Sequence, residues 1–132
     1  MRSLIALLVG VFMGGMLTVV ALNSLRKGTA YPNGLMAVMT AQMGQLDEQV
    51  KAKSCNAEAL APNLATLAAL GNDIEPAFLP TGDDARFSSL AGDYRAAVGL
   101  AIAAAPANCD TASTALNAIS VTCKACHQEF KN

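Results

Sequence analysis

The residues best able to do chemistry stand together at Cys123-Lys124-Ala125-Cys126-His127. This is the C-x-x-C-H spacing of covalent c-type haem attachment. On a helix, positions i, i+3 and i+4 share one face. Two thiols can therefore meet the two vinyl groups of a haem while the adjacent imidazole turns toward the iron. His127 is the only histidine in the chain. Other uses of these residue types fit less well. A thioredoxin-like pair wants a preceding strand in a βαβ setting, and no stretch here alternates with period two. A zinc site would have to recruit Cys55 or Cys109 to reach four ligands, and the sequence puts those at the opposite end of the helices. Chance spacing is disfavoured by the sole histidine following directly. The expectation is one haem c, bound through Cys123 and Cys126, with His127 on the iron.

Helices must position that motif. From Pro32, which suits a first helical position because it lacks an N–H, Met36, Met39, Met43, Leu46 and Val50 repeat at three-four spacing. A polar break follows at Lys51 to Asn56. A second helix is expected over about Pro62–Glu75, with Leu60, Leu64, Leu67 and Ile74 on one side and Pro76 as its stop. Pro80, Gly82, Asp83 and Asp84 make a loop. A third helix runs from about Ala85 to Ala104, with Phe87, Leu90, Tyr94, Val98 and Ala101 on one face. Asp110 or Thr111 can cap a fourth, carrying Leu116, Ile119, Cys123, Cys126 and Phe130. The fold expected is all-α: an antiparallel up-down-up-down four-helix bundle with haem on the last helix, preceded by an N-terminal transmembrane helix.

That leading segment is read from residues 4–22, which contain no charged side chain. At helical rise they span roughly 28 Å, close to a bilayer's hydrocarbon core. Arg2 precedes the run and Arg26 and Lys27 follow it. The organisation expected is 1–30 as membrane anchor and polar linker (Asn23 to Ala30) and 31–132 as the haem domain. A cleavable export signal is the alternative; its small-x-small exit would be Gly28-Thr29-Ala30. Gly10 and Gly14 form G-x-x-x-G, which can mark a helix-packing face in lipid, although glycine is common in such segments. Covalent haem attachment in bacteria takes place outside the cytoplasmic membrane, so the haem domain is expected in the periplasm, on a single-pass inner-membrane protein or soluble after cleavage.

Beyond residue 30 there are six basic and ten acidic residues, a formal charge of −4. No basic stripe or aromatic platform marks a nucleic-acid interface. A protein partner would offer a basic face, and the acidic residues Asp73, Glu75, Asp83 and Asp84 are read as a solvated loop or a docking surface. Once the haem motif takes two of the four cysteines, Cys55 and Cys109 remain, an even pair in an oxidising compartment. They fall in the first and third links, which share one end of an up-down-up-down bundle. A disulfide there closes a loop of about 54 residues, worth roughly 4 kcal/mol in the chain-entropy model.

The motif stands in the last helix of an all-helical chain, and at this point the sequence resembles the class II c-type cytochromes, the cytochrome c′ family. CKACHQEFK looks like that family's ending. YPNGLMAVMTAQMGQL resembles its first helix, and FLPTGDDAR its second loop. The resemblance covers about residues 31–132, and the anchor is outside it. It implies a four-helix bundle with one haem c and places Met36, five positions after Tyr31, on the distal side of the haem. In low-spin members a methionine there supplies the sixth iron ligand, and a thioether on iron stabilises the reduced state. The plain alternative is that Met36, Met39 and Met43 are core filler, and Met39 is the fallback ligand. Pro32 stands where the family often has a basic residue, and Lys131 where it often has arginine. Class II cytochromes are often homodimers, and that too is implied.

The function expected is single-electron transfer between redox partners, integral-membrane complexes among them, by a carrier that is not itself an enzyme. The alternative is a five-coordinate haem that binds nitric oxide or carbon monoxide; Met36 discriminates between the two. A peroxidase-like enzyme is disfavoured because no distal histidine or arginine is evident. The ligands are expected where the first helix begins, the membrane-proximal end of the bundle. There the eight-residue linker could reach at most roughly 28 Å.

Overall fold

In a computed structural model of the chain, the backbone is described for residues 2–104 and 107–131, and side chains for 10–20, 30–104 and 107–131. The described residues are helical, joined by short turns: α1 (Arg2–Lys51), α2 (Ala57–Gly71), α3 (Ile74–Ala77), a 3-10 turn (Thr81–Asp83), α4 (Ala85–Ala104) and α5 (Cys109–Phe130). The chain divides into two compact units, Met1–Asn33 and Gly34–Asn132.

Four boundaries differ from the sequence expectation, each for a local reason. The stretch Asn23 to Ala30 is helical rather than a link, and Pro32 lies inside α1 rather than at its start. Leu25, Arg26, Lys27 and Ala30 are good helix formers, and the helix continues through the single Gly28. The second helix begins at Ala57, not Pro62, because the Asn56 side chain accepts the Ala59 N–H at 2.8 Å. Pro62 then lies inside α2, where its missing N–H leaves only the carbonyl of Glu58, an exposed first-turn residue. That helix also ends early, at Gly71, where the Asn72 N–H closes the last turn on Ala69 O at 3.2 Å and the Asp73 N–H bonds Leu70 O at 3.0 Å. Asn108, not Asp110 or Thr111, caps α5 in a capping box; Thr111 is its partner.

In the second unit the helices run antiparallel. Gln49 Nε2 donates to Ala59 O at 3.2 Å, while Gln42 and Gln45, further back on α1, accept from Asn63, further along α2. Arg86 at the start of α4 meets Glu129 at the end of α5. Cys55, after α1, is bonded to Cys109 at the start of α5, with Cα atoms 5.0 Å apart. The α1–α2 and α4–α5 connections therefore share one end, and the order is up-down-up-down. Leu46, Leu67, Val98 and Ile119, one from each long helix, are fully buried. Each contributes about 2 kcal/mol of apolar burial. Arg95 braces the α2–α4 connection, donating to Gly71 O and to both carboxylate oxygens of Glu75.

In the first unit, the described side chains Val11, Phe12, Met13, Met16, Leu17, Val19 and Val20 are 57% to 75% exposed. The Thr18 hydroxyl donates to Gly14 O at 2.8 Å, within its own helix. Among the described residues no helix is long and apolar enough to cross a membrane. The run expected to do so, 4–22, has its side chains at 4–9 and 21–22 outside the described residues, as are those of 23–29.

Candidate functional site

The site is built on the second half of α5. Burial along this helix changes midway. Ala112, Leu116 and Ile119 are buried, whereas Cys123, Cys126 and Phe130 are half-buried against the same core. The helical period thus turns both thiols inward, and His127, one residue on, is exposed. The two thiols are unbridged. Burial raises the Cys123 thiol's pKa above its ordinary value, and the charge of Cys126 adds to the shift. Burial followed by the charge of Glu129 does the same for Cys126. Both are thus kept as protonated thiols. Burial raises the Tyr94 phenol's pKa above its ordinary value, and its hydroxyl donates to Leu67 O at 3.1 Å.

On α1, Leu35 and Met39 are buried, at 4% and 7% exposure, while Met36 is half-buried at the edge of the core. Their level follows from helical rise measured from the disulfide end. Met36 precedes Lys51 by about 22 Å of helix, and His127 follows Cys109 by about 27 Å. Because the disulfide holds Cys55 beside Cys109, the antiparallel run brings Met36 to the level of the C-x-x-C-H turn. Met39, set into the core, is less available than Met36.

The residues fit a haem. Two unbridged thiols lie half-buried against apolar side chains, with the exposed imidazole of His127 directly after them, and helical rise puts a thioether near their level. Among the described residues no group of three or more His, Cys, Asp or Glu side chains is placed to hold a metal ion. A zinc site recruiting Cys55 or Cys109 is ruled out, since those two are bonded to each other. The acidic cluster is not a single patch: Glu75 is tied to Arg95, and the Asp84 carboxylate caps α4.

Sequence reading did not assign a role to the aromatic group around the last turn. Phe87 lies 5.6 Å from Phe78 and 5.2 Å from Phe130, the latter edge-on at 82°. It also did not pair Arg86 with Glu129 (3.0 Å). The available signal was Phe87 at a buried position directly after a charged residue, at the start of a helix antiparallel to α5.

The family model for Cytochrome C′ matches residues 29–131. No curated protein matches the chain. Solved structures share the fold, three of them as follows. Cytochrome c′ from Rubrivivax gelatinosus is 21% identical, with TM-score 0.66, over 80% of this chain and 94% of that one. A nitric oxide complex of a cytochrome c prime mutant from Alcaligenes xylosoxidans is 23% identical, with TM-score 0.66, over 76% and 90%. A ferrous variant from the same organism with bound NO is 20% identical, with TM-score 0.64, over 77% and 91%. Proteins of this family carry covalently attached haem c. With a family match across its whole haem-bearing bundle, this chain belongs to the cytochrome c′ family.

Proposed function

We propose that the protein is a membrane-tethered, periplasmic electron carrier whose haem iron is held by His127 and Met36. The observation that carries this reading is Met36: a half-buried thioether on α1, which helical rise counted from the Cys55–Cys109 bond brings toward the level of the C-x-x-C-H turn of α5. The Cys123 and Cys126 thiols can each add across a vinyl group. The sulfur takes one carbon and the proton the other, so the step needs no oxidant. Haem supplies a one-electron iron couple when bound. The imidazole of His127 and the thioether of Met36 would hold the iron, and a methionine ligand favours the reduced state. With the sole histidine assigned to the iron, the protein is read as a carrier rather than an enzyme. Its partners are then redox proteins, with integral-membrane complexes the first to test.

The tether rests on the uncharged run 4–22. It is supported by the exposed apolar side chains of residues 11–20 and by Thr18 satisfying its hydroxyl within the helix. The test is fractionation: the full-length protein should stay with inner membranes through a high-salt wash and enter detergent. Recovery in the soluble periplasm, with a mature chain beginning near Tyr31, would refute it.

A gas-binding haem is the second reading, favoured by the nitric oxide complexes among the structures of the same fold. One visible spectrum separates the two. Six-coordinate, low-spin iron without immediate carbon monoxide binding supports Met36 ligation, and Met36→Ala should then become high-spin and bind carbon monoxide. A high-spin wild type that takes carbon monoxide at once hands the function to the second reading.

A further inference from the structure

The last turn of α5 has little of its own to hold it. A helix end leaves its final carbonyls without intrahelical partners, and here the closing bond runs from the Lys131 N–H to His127 O at 3.1 Å. The iron ligand's own backbone is therefore part of the turn most prone to fray. Two side chains of that turn, Glu129 and Phe130, are gripped from one place, the first turn of α4. Arg86 Nε donates to both Glu129 oxygens, at 3.2 Å and 3.0 Å. Phe87, at 3% exposure, meets Phe130 edge-on at 5.2 Å and is backed by Phe78 at 5.6 Å.

The gripping turn is itself fixed. Asp84 Oδ1 accepts the N–H groups of Arg86 at 2.8 Å and Phe87 at 3.0 Å. The Ser88 hydroxyl donates to Gly82 O at 3.1 Å. Gly82 in turn lies so close to the Glu75 backbone that a Cβ would collide with that carbonyl. Glu75 is held by Arg95. A chain of fixed groups thus runs from α4 and its preceding loop to the residues immediately after His127.

We propose that Arg86 and Phe87 are positioning residues for His127. By holding Glu129 and Phe130 they set the rotation of the last α5 turn, and with it the direction of the imidazole. This rests on the reading of His127 as iron ligand. Phe87 carries more of the task, because its contact is buried whereas the ion pair is about half exposed.

The test is hydrogen exchange on the full-length haem protein at the amides of 127–131, with the reduction potential measured on the same samples. Phe87→Leu should speed exchange there by about tenfold, the scale of one buried aromatic pair. Arg86→Ala should speed it by about twofold, the scale of an exposed ion pair. The charge swap Arg86→Glu with Glu129→Arg should restore the wild-type rate, and Arg86→Lys should restore it in part. The potential should shift with Phe87→Leu and not with Leu60→Ala, a buried truncation on α2 near the disulfide end. Unchanged exchange and potential in Phe87→Leu and Arg86→Ala would overturn the proposal, as would an equal shift in Leu60→Ala. Should Phe87→Leu fail to fold, the exposed Arg86 and Glu129 variants decide it by the same two readouts. A wild type lacking covalent haem would instead sink the haem reading, and the exchange rates would still report the clamp.

Discussion

Replacing Cys55 and Cys109 by alanine tests how far the far end of the bundle is held by a covalent bond. The bridge closes a loop with a sequence separation of 54. In the chain-entropy model it is worth about 4 kcal/mol at 25 °C. Cys55 is also buried at 4% exposure, and losing its sulfur from the core adds about 1 kcal/mol. A domain of this size is stable by roughly 5–15 kcal/mol in all, so the double variant should lose a third or more of its stability. In melting temperature the fall is on the order of 20 °C. Urea unfolding followed by helical circular dichroism is the assay, with reduced wild type as a second route to the same state. The denaturant slope should rise in the variant, because an unlinked unfolded chain exposes more surface. A loss below about 1 kcal/mol with an unchanged slope would refute the entropic account. Alkylation of both cysteines without prior reduction would refute the bond itself.

Alanine at both Cys123 and Cys126 should give a protein whose haem extracts into acidified organic solvent, and haem that stays with the protein would contradict covalent attachment at this motif. A pH prediction follows from Glu75. Hydrogen bonds from Arg95 hold its carboxyl below the usual value of 4.5, against the opposing effect of burial. A carboxyl depressed in the folded state contributes stability that is fully present above its unfolded pKa and is lost as pH falls through the lower folded value. Acid titration of stability should therefore show a loss below about pH 4.5 that is smaller in Glu75→Gln; identical acid limbs would count against it.

The helical content and the haem motif were legible because both are written in local spacing. Three-four periodicity marked Leu46, Leu67, Val98 and Ile119, and the C-x-x-C-H turn needs only one helix. The ends of helices were less legible. Pro32 was read as a helix start from its missing N–H, and the second helix was placed from about Pro62, yet the neighbouring residues decided both cases: Asn56 capped α2 earlier, and Leu25 to Lys27 gave α1 no reason to stop. At α5 the cap moved from Asp110 or Thr111 to Asn108, since the capping box needs its partner three residues on. Least legible was the grip of Arg86 and Phe87 on Glu129 and Phe130. It joins residues 43 apart in sequence and follows only once α4 and α5 are known to lie antiparallel with those ends level.

That long-range contact matters because of how α5 is buried. Its first half is held by Ala112, Leu116 and Ile119 in the core and by Cys109 in a disulfide. Its second half offers only half-buried groups, Cys123, Cys126 and Phe130. The inner core carries many alanines, among them Ala77, Ala91, Ala101 and Ala112, which permit close helix approach but each bury little apolar area. A bundle of this kind gains most from fixing its ends, where the helices would otherwise splay. One end is fixed by the Cys55–Cys109 bond. At the other, the protein's own contribution is the α4 grip, and the two thioether bonds expected at Cys123 and Cys126 would add covalent restraint to the same turn. Placing the haem-bearing cysteines at the end away from the disulfide thus serves stability and function through one arrangement. The turn that most needs holding is also the one whose imidazole must keep a fixed direction toward iron.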